Sequence, residues 1–235
     1  MRCRIADLIV ELTAAGGMAS RCADYRTNGD EPADVVIRSE EFLDFSLYGG
    51  DAEVATYFET GVLFYRELLR FGGLMLHSSA VAYEGKAYLF SGPSGVGKST
   101  HTKLWQACFG EEAQMINDDK PALRFLDGRW YAYGTPWCGK DGINQNVKIP
   151  LGGICFLKQG EENRIRRLTA QEAVPLLYMQ TNFSLKKKEN MHYLLSSVDT
   201  LVQQIPIYEL ENKPEPAAAM LSMTTMKQAA MEAGL

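Results

Sequence analysis

The stretch "KAYLFSGPSGVGKSTHTKLW", Lys86 to Trp105, constrains this chain more than any other. A run rich in β-forming residues enters a glycine-rich turn, and a helix-forming run leaves it. Gly92, Gly97, Lys98 and Ser99 satisfy the spacing G-x-x-x-x-G-K-S/T, with Pro93, Ser94, Gly95 and Val96 inside the turn and Thr100 behind it. Glycines let backbone N–H groups turn inward and approach an anion closely. A helix that begins at Lys98 aims the positive end of its dipole at the same anion. The Lys98 ammonium reaches outer phosphates, and the Ser99 hydroxyl suits a magnesium ion. The alternative is a plain glycine-rich turn capped by a lysine. The order strand, turn, helix favours the phosphate cradle.

The remaining patterns alternate in period. Residues 4–12 and 34–45 read as short strands separated by a loop rich in Gly, Asn, Asp and Pro. Apolar residues at Val54, Tyr57, Phe58, Leu63, Phe64, Leu68 and Phe71 predict a helix over 53–71, stopped by Gly72-Gly73 and weakened by Gly61. "LMLHSSAVAYEGKAYLFSG" predicts two strands joined at Glu84-Gly85, and 98–109 a helix with Leu104 and Cys108 on one face. "AQMIND", "PALRFLDGRWYAYG" and "LGGICFLKQ" read as strands, the second turning at Asp127-Gly128. Helices are expected near 169–180, 190–204 and 215–232, with a strand over "IPIYELE". The fold class is α/β with a mixed, partly antiparallel sheet. An N-terminal portion, 1–71, is expected to pack on a core of 72–235 that includes the C-terminal helices.

Composition narrows the partners. The 235 residues are 46% hydrophobic and 23% charged, an ordinary globular balance. Net charge is −5, and the longest basic block is Lys186-Lys187-Lys188, expected to be a solvated loop, so nucleic acid is a poor partner. Five cysteines without a CxxC pair favour neither a disulfide framework nor zinc. "MRCRIADLIVEL" is broken by Asp7 and Glu11 and lacks the form of a signal peptide, and no apolar run approaches the roughly 20 residues of a membrane span. The expectation is a cytoplasmic protein with no membrane contact.

"MINDDKPAL" places Asp118 and Asp119 at the end of a strand. Phosphoryl transfer needs a carboxylate for the metal and often a second for the acceptor's proton. The same letters also suit an Asp-Asp-Lys-Pro turn. His77 closes the apolar run "GLMLH", where a histidine is commonly structural.

Together, "LMLHSSAVAYEGKAYLFSGPSGVGKST", "INDDKPAL" and the loop Gly134-Thr135-Pro136-Trp137-Cys138-Gly139-Lys140 resemble the HPr kinase/phosphorylase family. Its nucleotide domain is related to phosphoenolpyruvate carboxykinase. The likeness is better still to the shorter HPr-kinase-like proteins that accompany peptide-modification or transport genes, and it spans roughly residues 72–180. It implies a site lined by His77, Lys98, Ser99, Asp118 and Asp119, with Lys140 near a transferred phosphate. Asp119 matches the "N-x-D" acid of those relatives. It further implies ATP and magnesium as cofactors, Ser99 and Asp118 on the metal, and a serine hydroxyl of a peptide or small protein as acceptor. The Pro-Gly-Arg-Asn signature of HPr kinases is missing from "IPLGGICFLKQGEENRIRRL", which weighs against phosphorylase activity, a hexamer and HPr as acceptor. Arg164, Arg166 and Arg167 read either as an anion site or as an exposed edge. A carboxykinase-type enzyme and a non-catalytic ATP-binding module stay open, as does the oligomeric state.

Overall fold

The computed structural model describes residues 1–14, 16–38, 45–181 and 188–234 of the chain. In chain order these form β1 (Arg2–Ile5), β2 (Leu8–Leu12), α1 (Gly16–Arg21), β3 (Val35–Ile37), α2 (Ala52–Leu68), β4 (Gly73–Met75), β5 (Ser78–Tyr83) and β6 (Lys86–Ser91). Then follow α3 (Lys98–Phe109), β7 (Ala113–Asp119), β8 (Ala122–Leu126), β9 (Arg129–Tyr133), β10 (Lys148–Gln159) and β11 (Arg164–Arg167). The last elements are α4 (Ala170–Thr181), α5 (Lys188–Gln204), β12 (Ile207–Asn212) and α6 (Pro216–Glu232).

The main sheet is mixed, as its sequence pattern implies. β10 is its hinge strand: Lys148–Pro150 pair antiparallel with β9, and the residues beyond pair parallel with β6 and then with β12. One side continues through β9 and β8 to β4, the other through β6 and β5 to β7, while β11 extends β12. The tight turns at Glu84-Gly85 and Asp127-Gly128 carry the expected positive φ at both central residues, +47° and +74° in the first and +51° and +78° in the second. Alternate residues of the strands face opposite layers. Leu89 and Ile154 join a core with Leu177, Val198 and Leu201 of α4 and α5. Phe90 and Cys155 join another with Trp105 of α3 and Met226 of α6.

The N-terminal elements build a small sheet, β1-β2-β3, that shares a buried cluster with α2 and with Met75, Ala122, Tyr133 and Trp137. Residues 4–12 are not one strand. Ala6 and Asp7 adopt φ of +51° and +60° and reverse the chain between β1 and β2. The Asp7 carboxylate accepts hydrogen bonds from Tyr133 Oη at 2.7 Å and Lys148 Nζ at 2.8 Å, contacts too distant in sequence to be read from periodicity. Of the strand expected over 34–45, Val35–Ile37 forms β3, and 39–44 lie outside the described residues, as do Lys186 and Lys187.

The helix over 53–71 holds as α2 to Leu68, then tightens into a 3₁₀ turn over Leu69–Phe71 before Gly72 at φ +66°. Gly61 does not interrupt it. A Cβ there would meet Trp137 Cδ1 at 3.0 Å, and Trp137 is itself wholly buried and stacked on Phe64. Two further readings change, and one open alternative is decided. The run "GLMLHSS" splits between β4, which pairs with β8, and β5, which pairs with β6 and β7. His77 therefore sits between two strands rather than at the end of one. The buried stripe of α3 is His101, Thr102 and Trp105, with Leu104 and Cys108 only half-buried at its margin. "RIRR" is the edge strand β11, in keeping with the exposed-edge reading, and Arg166 pairs with Glu209 and Glu172 and Arg164 with Glu162, so two of its three arginines are matched by acids. Among the described residues no helix is long and apolar enough to cross a membrane.

Candidate active site

The loop 92–97 leaves the carboxyl end of β6, beside its parallel neighbour β10, where open α/β sheets leave a crevice for ligands. Gly92 has φ +143°, and a Cβ there would lie 3.2 Å from the Leu157 carbonyl, so only glycine lets the loop start so close to β10. Gly95 and Gly97, at φ +81° and +109°, complete the reversal into α3. α3 is fixed to the sheet by its buried stripe and by a 2.7 Å hydrogen bond between the Ser79 and Thr102 hydroxyls. Lys98 Nζ donates to the carbonyls of Gly92 at 3.0 Å and Pro93 at 3.2 Å. Burial lowers the Lys98 pKa, against the opposing pull of Asp119 and Asp118.

Strand register assembles the opposite wall. β7 pairs antiparallel with β5, putting Asp119 across from Ser78 and Asp118 across from Ser79. His77, one residue ahead of β5, therefore falls beside Asp119, with Nε2 3.2 Å from Oδ1. Its other ring nitrogen lies 3.2 Å from Gln180 Oε1, its backbone N–H donates to the Gln180 carbonyl, and its carbonyl accepts from Ser91 Oγ. The imidazole is thus held between Gln180 of α4 and Asp119, and the His77 backbone is held from α4 and β6.

The second oxygen of Asp119 pairs with the Lys120 ammonium. Burial pushes the Asp119 carboxyl upward, but the His77 hydrogen bond and the Lys120 charge outweigh it and hold the pKa below the ordinary carboxylate value. Asp119 is therefore ionised at neutral pH, with φ +155°, a conformation rare for a residue with a side chain. A buried polar network fixes the turn behind it. Asn117 Oδ1 accepts from the Lys120 N–H at 2.8 Å, Asn117 Nδ2 donates to the Thr135 carbonyl at 3.0 Å, and the Thr135 and Tyr65 hydroxyls donate to the Lys120 carbonyl.

The loop carrying Trp137 and Lys140 closes over the acid pair. Gly139 adopts φ +73°, and a Cβ on it would meet the Asp118 carbonyl at 2.8 Å. One cavity of about 460 Å³ results, lined by His77, Lys98, Ser99, Asp118, Asp119 and Lys140, together with Ser94, Gly95, Gly97 and Thr100 of the loop. Gly92, Pro93 and Val96 of the sequence motif do not line it. The first two supply the carbonyls that hold Lys98, and Val96 packs against the core under α3. Sequence reasoning quoted Asn117, Lys120 and Thr135 inside its motifs without giving them a role, and it passed over Tyr65. Lys120 and Asn117 stand within the "INDDKP" run and Thr135 within the loop 134–140, while only the fold brings Tyr65 there.

Among the described residues no three His, Cys, Asp or Glu side chains converge into a metal cage. Magnesium keeps several waters and takes one or two carboxylates plus substrate phosphates, so a hydroxyl and a carboxylate in one cavity, Ser99 and Asp118, fit that ion.

Fold and cavity together define a mixed α/β protein with a glycine-loop cavity faced by an acid pair and a histidine. The family model for SynChlorMet cassette protein ScmC matches residues 50–214, and the chain belongs to that family. A search of curated proteins found no match. Among solved structures, the Hpr(Ser) kinase/phosphatase from Coxiella burnetii is similar over 67% of this chain and 91% of its own, with 12% identity and a TM-score of 0.39.

Proposed function

We propose that this protein is an ATP-dependent kinase that moves the γ-phosphoryl of magnesium-bound ATP to a hydroxyl, a serine of a peptide or small protein. The observation that carries the reading is the single cavity in which an ionised Asp119, braced by His77 and Lys120, faces the Lys98–Ser99 end of a glycine loop. In this reading the loop amides and the start of α3 bind the β- and γ-phosphates. Lys98 exchanges its loop carbonyls for phosphate oxygens, and Ser99 and Asp118 hold magnesium, which when bound neutralises charge on the phosphates. Asp119 accepts the hydroxyl proton as the acceptor oxygen bonds to phosphorus and the γ-phosphorus–oxygen bond to ADP breaks. His77 orients Asp119. Lys140, exposed on the covering loop, meets the transferred group. The nucleoside is assigned to a second cavity of about 530 Å³ across the loop, lined by Val96, Leu104, Gln159 and Asn212 among others. Catalysis is then mainly positioning and charge neutralisation.

The test is incubation with ATP labelled at its γ-phosphate, magnesium and a panel of serine-containing peptides and small proteins. Label on a serine supports the kinase. Binding of ATP without transfer to any acceptor favours a nucleotide-binding module. Transfer that requires a small carboxylic acid instead points to the carboxykinase type.

A further inference from the structure

A different cavity, also about 460 Å³, opens on the other side of the acid pair. It shares Asp119, Gly139 and Lys140 with the phosphate-side cavity, and its outer wall is Met18, Val54, Tyr57 and Phe58. Val54 and Phe58 stand four residues apart on one face of α2, where they are 39% and 42% exposed. The helix turns its other apolar residues, Leu63, Phe64 and Leu68, into the core. This strip is therefore apolar surface that α2 keeps uncovered beside a charged site.

The wall is preformed. Tyr57 Oη accepts the Gly139 N–H at 3.2 Å, and the Arg21 guanidinium and the Lys120 ammonium lie over its ring at 5.1 and 5.4 Å. Phe58 stacks on Tyr48 with ring centroids 5.7 Å apart. A group bound here has Asp119 between itself and the phosphates. Successive residues of an extended chain are spaced about 3.3–3.6 Å apart. A hydroxyl can thus rest at Asp119 while the side chain of a residue one or two positions away lies on α2. Pockets take ligands whose apolar parts match their apolar walls, with few polar groups to fix orientation. Met18, Val54, Tyr57 and Phe58 suit a phenyl or branched aliphatic group, and Arg21, Glu53, Lys120 and Lys140 complete the lining with charge that can hold a peptide's polar backbone.

We propose that this cavity is the acceptor site, and that it selects a peptide segment carrying an aromatic or large aliphatic side chain within two residues of the serine. The inference rests on the kinase reading above. The probes are synthetic octapeptides with one serine whose neighbour is Phe, Leu, Ala or Asp. The wild type should phosphorylate the Phe and Leu peptides at least about tenfold faster than the Ala and Asp peptides, the size expected from burying one such side chain. Val54→Ser and Phe58→Ser, both at exposed positions, should reduce that preference to less than about threefold, and Phe58→Leu should restore most of it. Stabilisation by magnesium-ATP should persist in all three variants. Equal rates for all peptides, or a preference that ignores these substitutions, would each overturn the acceptor site and leave the kinase reading standing. Transfer to none of the peptides while ATP still stabilises the protein would count against the kinase reading itself. Loss of magnesium-ATP stabilisation in the wild type itself would sink the kinase reading as well.

Discussion

Replacing Asp119 by asparagine separates chemistry from binding at the proposed site. Asparagine keeps the shape but carries no charge and cannot usefully accept a proton. Removal of a general base typically costs about 10²- to 10⁴-fold in rate, roughly 3–5 kcal/mol of barrier. Nucleotide affinity should change far less, because the loop amides, Lys98 and Ser99 lie on the opposite wall of the cavity. The fold will register the change too. Lys120, whose side chain is 19% exposed, loses its carboxylate partner, at a cost of about 1–3 kcal/mol for a largely buried group left unpaired. Folding lowers the Asp119 pKa. Its contribution is therefore complete above the ordinary carboxylate value of about 3.9 and is lost as pH falls through the lower folded value. The variant should be less stable at pH 7 and should lack that part of the acid-induced loss. The assay is magnesium-ATP affinity beside single-turnover transfer, with denaturant melts at pH 7 and in acid. Near-normal affinity with transfer down a hundredfold or more is expected. If Asp119→Asn loses magnesium-ATP binding but transfers normally at saturating metal, Asp119 holds the metal and Asp118 is the base.

Lys98→Ala should abolish stabilisation by magnesium-ATP. In the wild type a hundredfold excess over Kd is worth about 2.7 kcal/mol, a rise in Tm of about 5–10 °C for a chain of this size, and equal shifts in both proteins would remove the phosphate loop from the account. His101 is 1% exposed, bonded through Nε2 to Ser222 at 2.9 Å, and burial lowers its pKa to about 4. The unfolded chain binds the extra proton first, so stability should fall as pH drops from about 6.5 toward 4, by up to roughly 3 kcal/mol. His101→Gln should flatten that window in denaturant melts, and an unchanged slope would refute the assignment. Gly61→Ala should lower Tm, although alanine favours helix by about 1 kcal/mol, because Trp137 at 3.0 Å is stacked, hydrogen-bonded to Thr60 and cannot move aside. A higher Tm would show that it can.

Much of the candidate site's layout was legible because its spacing is local. The cradle motif fixed the end of β6 and the start of α3, and the hairpin dipeptides at 84–85 and 127–128 fixed two turns by their own φ preference. The acid pair and His77 were named from sequence, but their meeting depends on the register of β7 against β5, which no single segment encodes. Periodicity also grouped Val54 and Phe58 with Leu63 and Phe64. Apolar spacing identifies a helix, yet which residues it leaves uncovered depends on what packs against it, and α2 leaves uncovered a pair that lines a cavity with Asp119. The hinge role of β10 and the edge pairing of β11 were hidden for the same reason. Both are set by partners far along the chain.

The central claim is transfer rather than binding or hydrolysis. It is tested most directly by measuring ADP and phosphoserine in the same quenched samples of enzyme, magnesium-ATP and serine peptides flanked by Phe or Leu, with Lys98→Ala as control. The account predicts ADP and phosphoserine in equal amounts with the wild type and neither with the variant. ADP accompanied only by free phosphate, or no ADP at all, would contradict it.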